Sequence, residues 1–310
     1  MELKPQVSIT TVLYNSAQGL QECLESVRSD VLSGFAEYLI IDNDSPDNSV
    51  KIVEEFLPEA KLLRAGQNLG FAGGCNFAYP HIKGRYWMLL NPDTIVPPNG
   101  LKKLVDWMET HPEIGIASPN LTGEGGEPAC PGRSFPSISL SLLELTRLHL
   151  LLPRSWRERY FMGSYSTNQT NLFYVDWVVG AAMIARREAI EEAGLLSEEI
   201  LIFGEDSEWC WRIQKAGWRV GLCSDVCVIH NEGQSGLKTW GEAERLNRIW
   251  KGIYDSCRMR RGQNYANLLK LINIFGFAIE TYHPRRSKSH RESSRQILEA
   301  HFALFKDKKV

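Results

Sequence analysis

Asp42 ends an apolar run in IIDNDS. A carboxylate there can accept hydrogen bonds from a nucleobase imide or from ribose hydroxyls, and a helix N-cap or Asx-turn would use the same residue. Asn91-Pro92-Asp93 follows the wholly apolar WMLL. Pro92 cannot extend a ladder of hydrogen bonds, so the chain leaves the sheet there and projects Asp93. A carboxylate so placed suits a divalent cation held against a diphosphate, or a plain turn. Asn68, Gly70 and Asn76 lie in QNLGFAGGCN, a glycine-rich turn entering a helix, whose amides can approach a phosphate. It lacks the Lys-Ser/Thr of a P-loop and the glycine spacing of the dinucleotide fingerprint, which argues against an oxidoreductase.

Glu205 and Asp206 open a helix that carries Trp209 and Ile213. Residues three and seven positions apart share a helical face, so Asp206 points toward the body, as a general base or as a complement to the helix dipole. Glu208 and Arg212 fit an exposed i,i+4 pair. His230 stands before a glycine-rich turn, as a metal ligand or a strand-end histidine. Cys223, Cys227 and His230 form a C-x3-C-x2-H string, but no fourth ligand is evident and strand-and-turn is the better reading than zinc.

These residues need elements to hold them. Strand-like runs at Val7 to Leu13, Tyr38 to Ile41, Lys61 to Leu63, Tyr86 to Leu90 and Ile114 to Ala117 alternate with amphipathic stretches. That alternation predicts an α/β fold with a mostly parallel sheet covered on both faces, and ligands at the C-terminal ends of its strands. From Asn120 to Phe173 the pattern dissolves into Gly, Pro, Ser and clustered Leu, as in a lid or acceptor-binding insert. Strand character returns over Tyr174 to Ile184, helix and strand lead to His230, and the rest is helical, basic and aromatic.

In chain order the segments VSITTVLYNS, YLIIDNDSPDNS, NLGFAGGCN, LLNPDT, DWVVGAAMIARREAI, GLLSEEILIFGEDSEWCWR and VCVIHNEGQSG resemble the family-2 glycosyltransferases of the GT-A fold. The match is to the rhamnosyltransferase-like branch that builds bacterial surface polysaccharides, over roughly residues 5–236. The resemblance implies a Rossmann-like GT-A catalytic domain over 1–236, its nucleotide-binding half reaching about 118 and its acceptor half running from 119. A C-terminal helical extension covers 237–310. It implies that Asp42 contacts the donor base, with Asn68, Gly70, Asn76 and Asn91 on the nucleotide side. Asp93 corresponds to the last aspartate of a D-x-D motif that here reads Asn91-Pro92-Asp93. It shares Mg2+ or Mn2+ with His230. Asp206 corresponds to the catalytic base, and Trp177, Gly180, Ala181 and Glu205 shape the donor-sugar and acceptor side. The implied reaction is inverting transfer from TDP-rhamnose or a UDP-sugar to a hydroxyl of a glycan or lipid-linked glycan. Leu13 stands where relatives often have Thr, and Glu208 where many have Asp. Two other classes are an inactive nucleotide-sugar- or glycan-binding module and a nucleotidyltransferase. The latter would want a basic glycine-rich signature after the first strand, where this chain has LYNS.

Charge sets outer bounds. The 310 residues carry 35 basic and 37 acidic side chains, a net charge of -2, which excludes bulk nucleic-acid binding. From Lys238 onward, however, 16 basic residues face 7 acidic ones, leaving 19 against 30 before it. Arg258, Arg260, Arg261, Lys270, Arg285, Arg286 and Lys288 interleave there with Trp250, Tyr254, Phe275, Phe277 and Tyr282. That mixture suits peripheral contact with an anionic leaflet, and equally packing on the body or on a second copy in a homodimer. The first residues show no signal-peptide pattern and no apolar run is long enough to span a bilayer. The expectation is therefore a cytoplasmic chain, peripheral at most on the inner face of the cell membrane.

Overall fold

The β-branched run Val7–Leu13 forms strand β1 and Ala36–Asp42 forms β2. Side chains alternate across a strand, and here both faces are buried. Tyr38 and Ile40 enter one apolar layer with Val7 and Ile9, while Leu39 and Ile41 enter the other with Trp87. The structure, a computed structural model, describes residues 4–129, 131–160, 174–200, 202–231 and 234–306. The further strands are β3 (Lys61–Arg64), β4 (Tyr86–Leu90), β5 (Thr94–Ile95), β6 (Ile114–Thr122), β7 (Pro128–Ala129), β8 (Gly132–Arg133), β9 (Trp177–Val178), β10 (Ala182–Arg186) and β11 (Arg219–His230). The helices are α1 (Leu20–Leu32), α2 (Ser49–Phe56), α3 (Gly70–Ala78), α4 (Gly100–Thr110), α5 (Ile138–Leu145), α6 (Arg154–Tyr160), α7 (Arg187–Ala193), α8 (Glu205–Lys215), α9 (Gln234–Arg261), α10 (Gln263–Tyr282) and α11 (Lys288–Lys306).

The large sheet runs β3-β2-β1-β4-β10-β6-β11-β5, with β7 paired to β6. β1 to β4 lie parallel, β10 reverses between β4 and β6, and β11 is parallel to β6. Helices α1, α2 and α4 supply Leu24, Val53 and Leu104 to one layer, and α3, α7 and α8 supply Cys75, Ile190 and Trp209 to the other. This is the mostly parallel, doubly covered α/β sheet that the alternating pattern predicts. The order reverses direction at β1, between β2 and β4, which opens a crevice at the carboxyl ends of β1 and β4.

Two stretches differ from expectation. The single strand expected over Tyr174 to Ile184 is divided into β9 and β10 by a turn at Val179 to Ala181, and β10 runs antiparallel to β4. The insert from 120 carries β7, β8, α5 and α6, and its stretch 161–173 lies outside the described residues.

The C-terminal region is helical as expected. Its helix α9 is interrupted at Gly241 (φ 72°, ψ 170°). Tyr254 and Cys257 of α9 and Ala266 and Leu269 of α10 form a third apolar cluster, joined by Ile138 of α5 and Leu304 of α11. Within it the His301 imidazole is fully buried. Its Nδ1 lies 2.7 Å from the Ile297 carbonyl oxygen and must carry the proton, so Nε2 accepts from the Tyr254 hydroxyl at 2.7 Å. Asn273 Nδ2 donates to the same hydroxyl at 3.0 Å. Burial pushes the His301 pKa down to about 4. Between about pH 6.5 and that value the unfolded chain takes up a proton that the folded chain refuses, so stability falls with falling pH. Urea unfolding should show a loss of roughly 2 kcal/mol from this group between pH 6.5 and 5, and His301→Gln should flatten that slope.

Candidate active site

Asp93 leaves β4 through Pro92, and the two-residue β5 then pairs antiparallel with the end of β11, setting Thr94 opposite His230. Asn231 N donates to the Asp93 carbonyl oxygen at 3.0 Å. Sequence reading contains no sign of this short strand, yet it decides the meeting of two residues far apart in the chain. His230 Nε2 lies 3.4 Å from Asp93 Oδ1, and the two residues are only 7% and 8% exposed. Asp93 Oδ1 is buried without a hydrogen-bond partner. A buried carboxylate oxygen in that state is costly unless a cation takes it. Among the described residues no group of three or more His, Cys, Asp or Glu side chains converges on a metal position. The pair would nonetheless fit a divalent cation such as Mg2+ or Mn2+, offering it one carboxylate and one imidazole. Cys223 is buried and Cys227 exposed, both as free thiols.

Asp206 sits in the first turn of α8, just after Phe203 and Gly204, whose φ angles are 61° and 117°. Asp206 Oδ2 accepts from Gly180 N at 3.2 Å and Oδ1 from Ser207 N at 2.7 Å. The turn between β9 and β10 is what delivers the Gly180 amide. Burial raises the Asp206 pKa, partly offset by these two N–H groups and by the Arg133 charge. Its neighbour Glu205 is raised further, by burial and then by the Asp206 charge, and Glu205 Oε2 has no hydrogen-bond partner. Both carboxyls are thus held above their ordinary values by burial, and the Gly180 and Ser207 amides and the Arg133 charge favour the charged form of Asp206. Glu208 is not the exposed partner expected of an i,i+4 pair. It is 1% exposed and grips Arg212 by two bonds of 2.7 and 2.9 Å, and Arg212 also donates to the carbonyls of Ala193 and Leu195. Trp209 Nε1 donates to Gly194 O at 2.8 Å. These bonds lock α8 to the loop after α7 and hold Asp206 in place.

At the start of α3, Asn43 Nδ2 donates to Gly70 O at 2.9 Å and Asn68 Oδ1 accepts from Gly70 N at 2.9 Å, fixing the first turn. A Cβ on Gly74 would stand 2.8 Å from Val12 Cγ1, so this glycine serves the packing of α3 on β1. Asp42 Oδ1 accepts from Ser45 N, three residues on, at 2.8 Å, which closes the turn after β2. Asn76 Nδ2 donates to Leu196 O at 2.9 Å and to Glu198 Oε1 at 2.8 Å, tying α3 to the loop before α8. Burial opposes the Asp47 charge, but hydrogen bonds from Ser49, Ala17 and Ser45 outweigh it and lower the pKa, stapling the β1 exit to the β2 exit.

One cavity of about 940 Å³ gathers these parts. Every expected site residue lines it except Asp42 and Asn76. It also takes in residues that sequence reasoning missed or assigned elsewhere: Arg133 of β8, Phe135, Phe203, and Arg245, Arg248 and Trp250 of α9. The three-residue spacing of Arg245 and Arg248 was the available signal, since it puts both on one helical face. Several tail residues for which leaflet contact and packing on the body are equal expectations pack on the body. Trp250 stacks on Tyr254 with ring centroids 5.9 Å apart and meets Phe277 edge-on at 5.5 Å. The Arg260 guanidinium lies 4.1 Å from the Phe135 ring centroid, and Arg258 pairs with Glu199 at 3.5 Å.

Known proteins resemble the chain in sequence and in fold. The chain is 23% identical over 240 residues to an N-acetylglucosaminyl-diphospho-decaprenol L-rhamnosyltransferase of Mycobacterium tuberculosis, covering 73% of this chain and 76% of that one. It is 23% identical over 230 residues to a low-salt glycan biosynthesis hexosyltransferase of Haloferax volcanii, covering 73% and 67%. A mannosyltransferase from Pyrobaculum calidifontis, solved with GDP-Man and Mn2+, superposes with a TM-score of 0.63 at 17% identity, over 99% of this chain and 89% of that one. That likeness establishes the GT-A fold. The sequence profile described as Glycosyl transferase family 2 matches residues 8–193, more than half of the chain, and with the shared fold this shows that the protein belongs to glycosyl transferase family 2.

Proposed function

We propose that the chain moves a sugar from a nucleoside-diphosphate donor, TDP-rhamnose or a UDP-sugar, to a hydroxyl of a lipid-linked glycan, with inversion at the anomeric carbon. One observation carries this reading: the amide-held Asp206 carboxylate and the Asp93–His230 pair line a single cavity from opposite elements of the chain. Asp206 acts as general base. As the acceptor oxygen bonds to the anomeric carbon, its proton passes to Asp206. The bond from that carbon to the diphosphate breaks, and its electron pair leaves on the phosphate oxygen. A single displacement of this kind inverts the centre, and general-base help contributes about 10²–10⁴-fold. Asp93 and His230 would hold Mg2+ or Mn2+, which would supply charge stabilisation to the departing diphosphate. Asn68, Gly70 and Asn91 frame the nucleotide side of the cavity and Trp177, Gly180, Ala181 and Glu205 face the sugar and acceptor. Asp42, given to the nucleobase, stands at the β2 exit outside the cavity lining, and Asn76, bonded to Leu196 and Glu198, braces α3 from outside it. The relative that acts on a decaprenyl-diphosphate sugar supports a lipid-linked acceptor, and with it work at the inner face of the cell membrane.

A thermal-shift panel of TDP, UDP and GDP, each with and without Mn2+, tests the nucleotide claim. A nucleotide at about 100 times its Kd adds roughly 2.7 kcal/mol, a rise of several degrees. TDP or UDP should give that rise only with Mn2+, and Asp93→Ala should remove the metal-dependent part. No shift from any of the three nucleotides would overturn the assignment.

A further inference from the structure

Helix α10 lines the cavity on one side with Asn273 and Phe277 and is bare on the other. Leu268, Leu271, Phe275, Ile279 and Tyr282 are all exposed, at 49%, 55%, 61%, 39% and 76%. Their spacings of three, four, four and three residues put them on one helical face, a stripe about 21 Å long. The turn after α5 lies beside it: Gly276 approaches Leu145, Arg147 pairs with Glu280 at 3.2 Å, and Leu148 and Leu151 are 51% and 81% exposed. Large apolar side chains gathered in this way on a chain of mixed surface mark an interaction site.

We propose that this face, α10 with the turn at Leu148–Leu151, docks in the plane of an anionic lipid leaflet, which carries the lipid-linked acceptor. Charge selects this occupant. Beyond Tyr282 the stripe runs into the exposed cations Arg285 and Lys288, within a region that holds 16 basic residues against 7 acidic ones. Such an edge attracts an anionic surface and repels a second copy of itself. No helix of the described residues is long and apolar enough to cross a membrane, so α10 lies in the interface with Tyr282 at headgroup level. The cavity that holds Asp206 is lined by Asn273 and Phe277 of the same helix, so docking by α10 brings the cavity close to an acceptor carried in the leaflet.

The purpose given to this face rests on the proposed lipid-linked acceptor, but the binding measurement needs neither donor nor acceptor. The full chain is pelleted with vesicles of equimolar phosphatidylcholine and phosphatidylglycerol, and with phosphatidylcholine alone. Wild type should bind the anionic vesicles at least about tenfold more tightly than the neutral ones. Leu271→Ser with Phe275→Ser should cut binding to both by about tenfold or more. Arg285→Glu with Lys288→Glu, which leaves the stripe intact, should weaken binding to the anionic vesicles alone. Neither pair lines the cavity, so turnover on a short-chain soluble acceptor should stay at the wild-type level while turnover on a vesicle-embedded acceptor falls. Absence of wild-type pelleting overturns the proposal, as does pelleting unchanged by the Leu271 and Phe275 substitutions. A wild-type dimer in light scattering, broken by those substitutions without any vesicle binding, would assign the face to a second copy. Vesicle binding without turnover on either acceptor would leave the docking face standing and remove the proposed reaction.

Discussion

Asp206→Asn lowers turnover by about 10²–10⁴-fold and leaves nucleotide affinity nearly unchanged. An amide keeps the shape of the side chain and the Oδ1 contact with Ser207 N, but it cannot take a proton from the acceptor hydroxyl. The nucleotide side of the cavity is built from β1, β4 and α3 and does not depend on this group. Steady-state turnover together with nucleotide titration separates the two effects, and a variant that kept more than about a tenth of wild-type turnover would remove Asp206 from the role of base. The pH profile follows from the same surroundings. Burial raises the Asp206 pKa, so the base is lost to protonation as pH falls through a value above the ordinary carboxylate range. The acid limb of turnover should sit there and should vanish in Asp206→Asn.

Gly252→Ala should be the most damaging change outside the cavity. A Cβ on Gly252 of α9 would overlap the Phe203 carbonyl oxygen, and a Cβ on Gly204 would stand 2.5 Å from the Gly252 carbonyl oxygen. Two stretches of backbone touch at this point, and one of them is the left-handed turn that launches α8. One methyl group must therefore push α9 away from the turn or move the turn itself. Overpacking of this kind costs about 1–3 kcal/mol, and a shift near 1 Å at the base costs about 10²-fold in rate. The expected outcome is a lower melting temperature and a turnover loss of at least about tenfold, with Ser207 losing its 3.3 Å contact to Ser256. Turnover at the wild-type level in a folded Gly252→Ala variant would show that α9 does not set the catalytic turn.

Much of the architecture is written locally. The apolar runs Tyr38 to Ile41 and Tyr86–Leu90 mark strands buried on both faces, because a side-chain period of two lets each strand feed two apolar layers. The helical period puts Asp206 on the side of Trp209 and Ile213, and the proline in Asn91-Pro92-Asp93 ends β4 where the carboxylate leaves the sheet. Other features were not legible. β5 is two residues long and has no periodicity of its own, existing only because β11 offers it a partner. Glu208 reads as a surface residue until the loop after α7 supplies the carbonyls that surround Arg212.

The sequence by itself thus determined the α/β alternation, the order of the chemical motifs, the family and the split between an acidic body and a basic tail. Tertiary structure alone decided which of those motifs meet. It set His230 against Asp93 through β5, brought the Gly180 amide to Asp206, and divided the basic tail between Arg245 and Arg248 in the cavity and Arg285 and Lys288 at the surface. The physical reason is that periodicity records which face of an element is apolar but not what that face meets. Trp250 and Phe275 are both aromatic residues in helices, and only the packing of α9 on α10 covers part of one and leaves the other exposed.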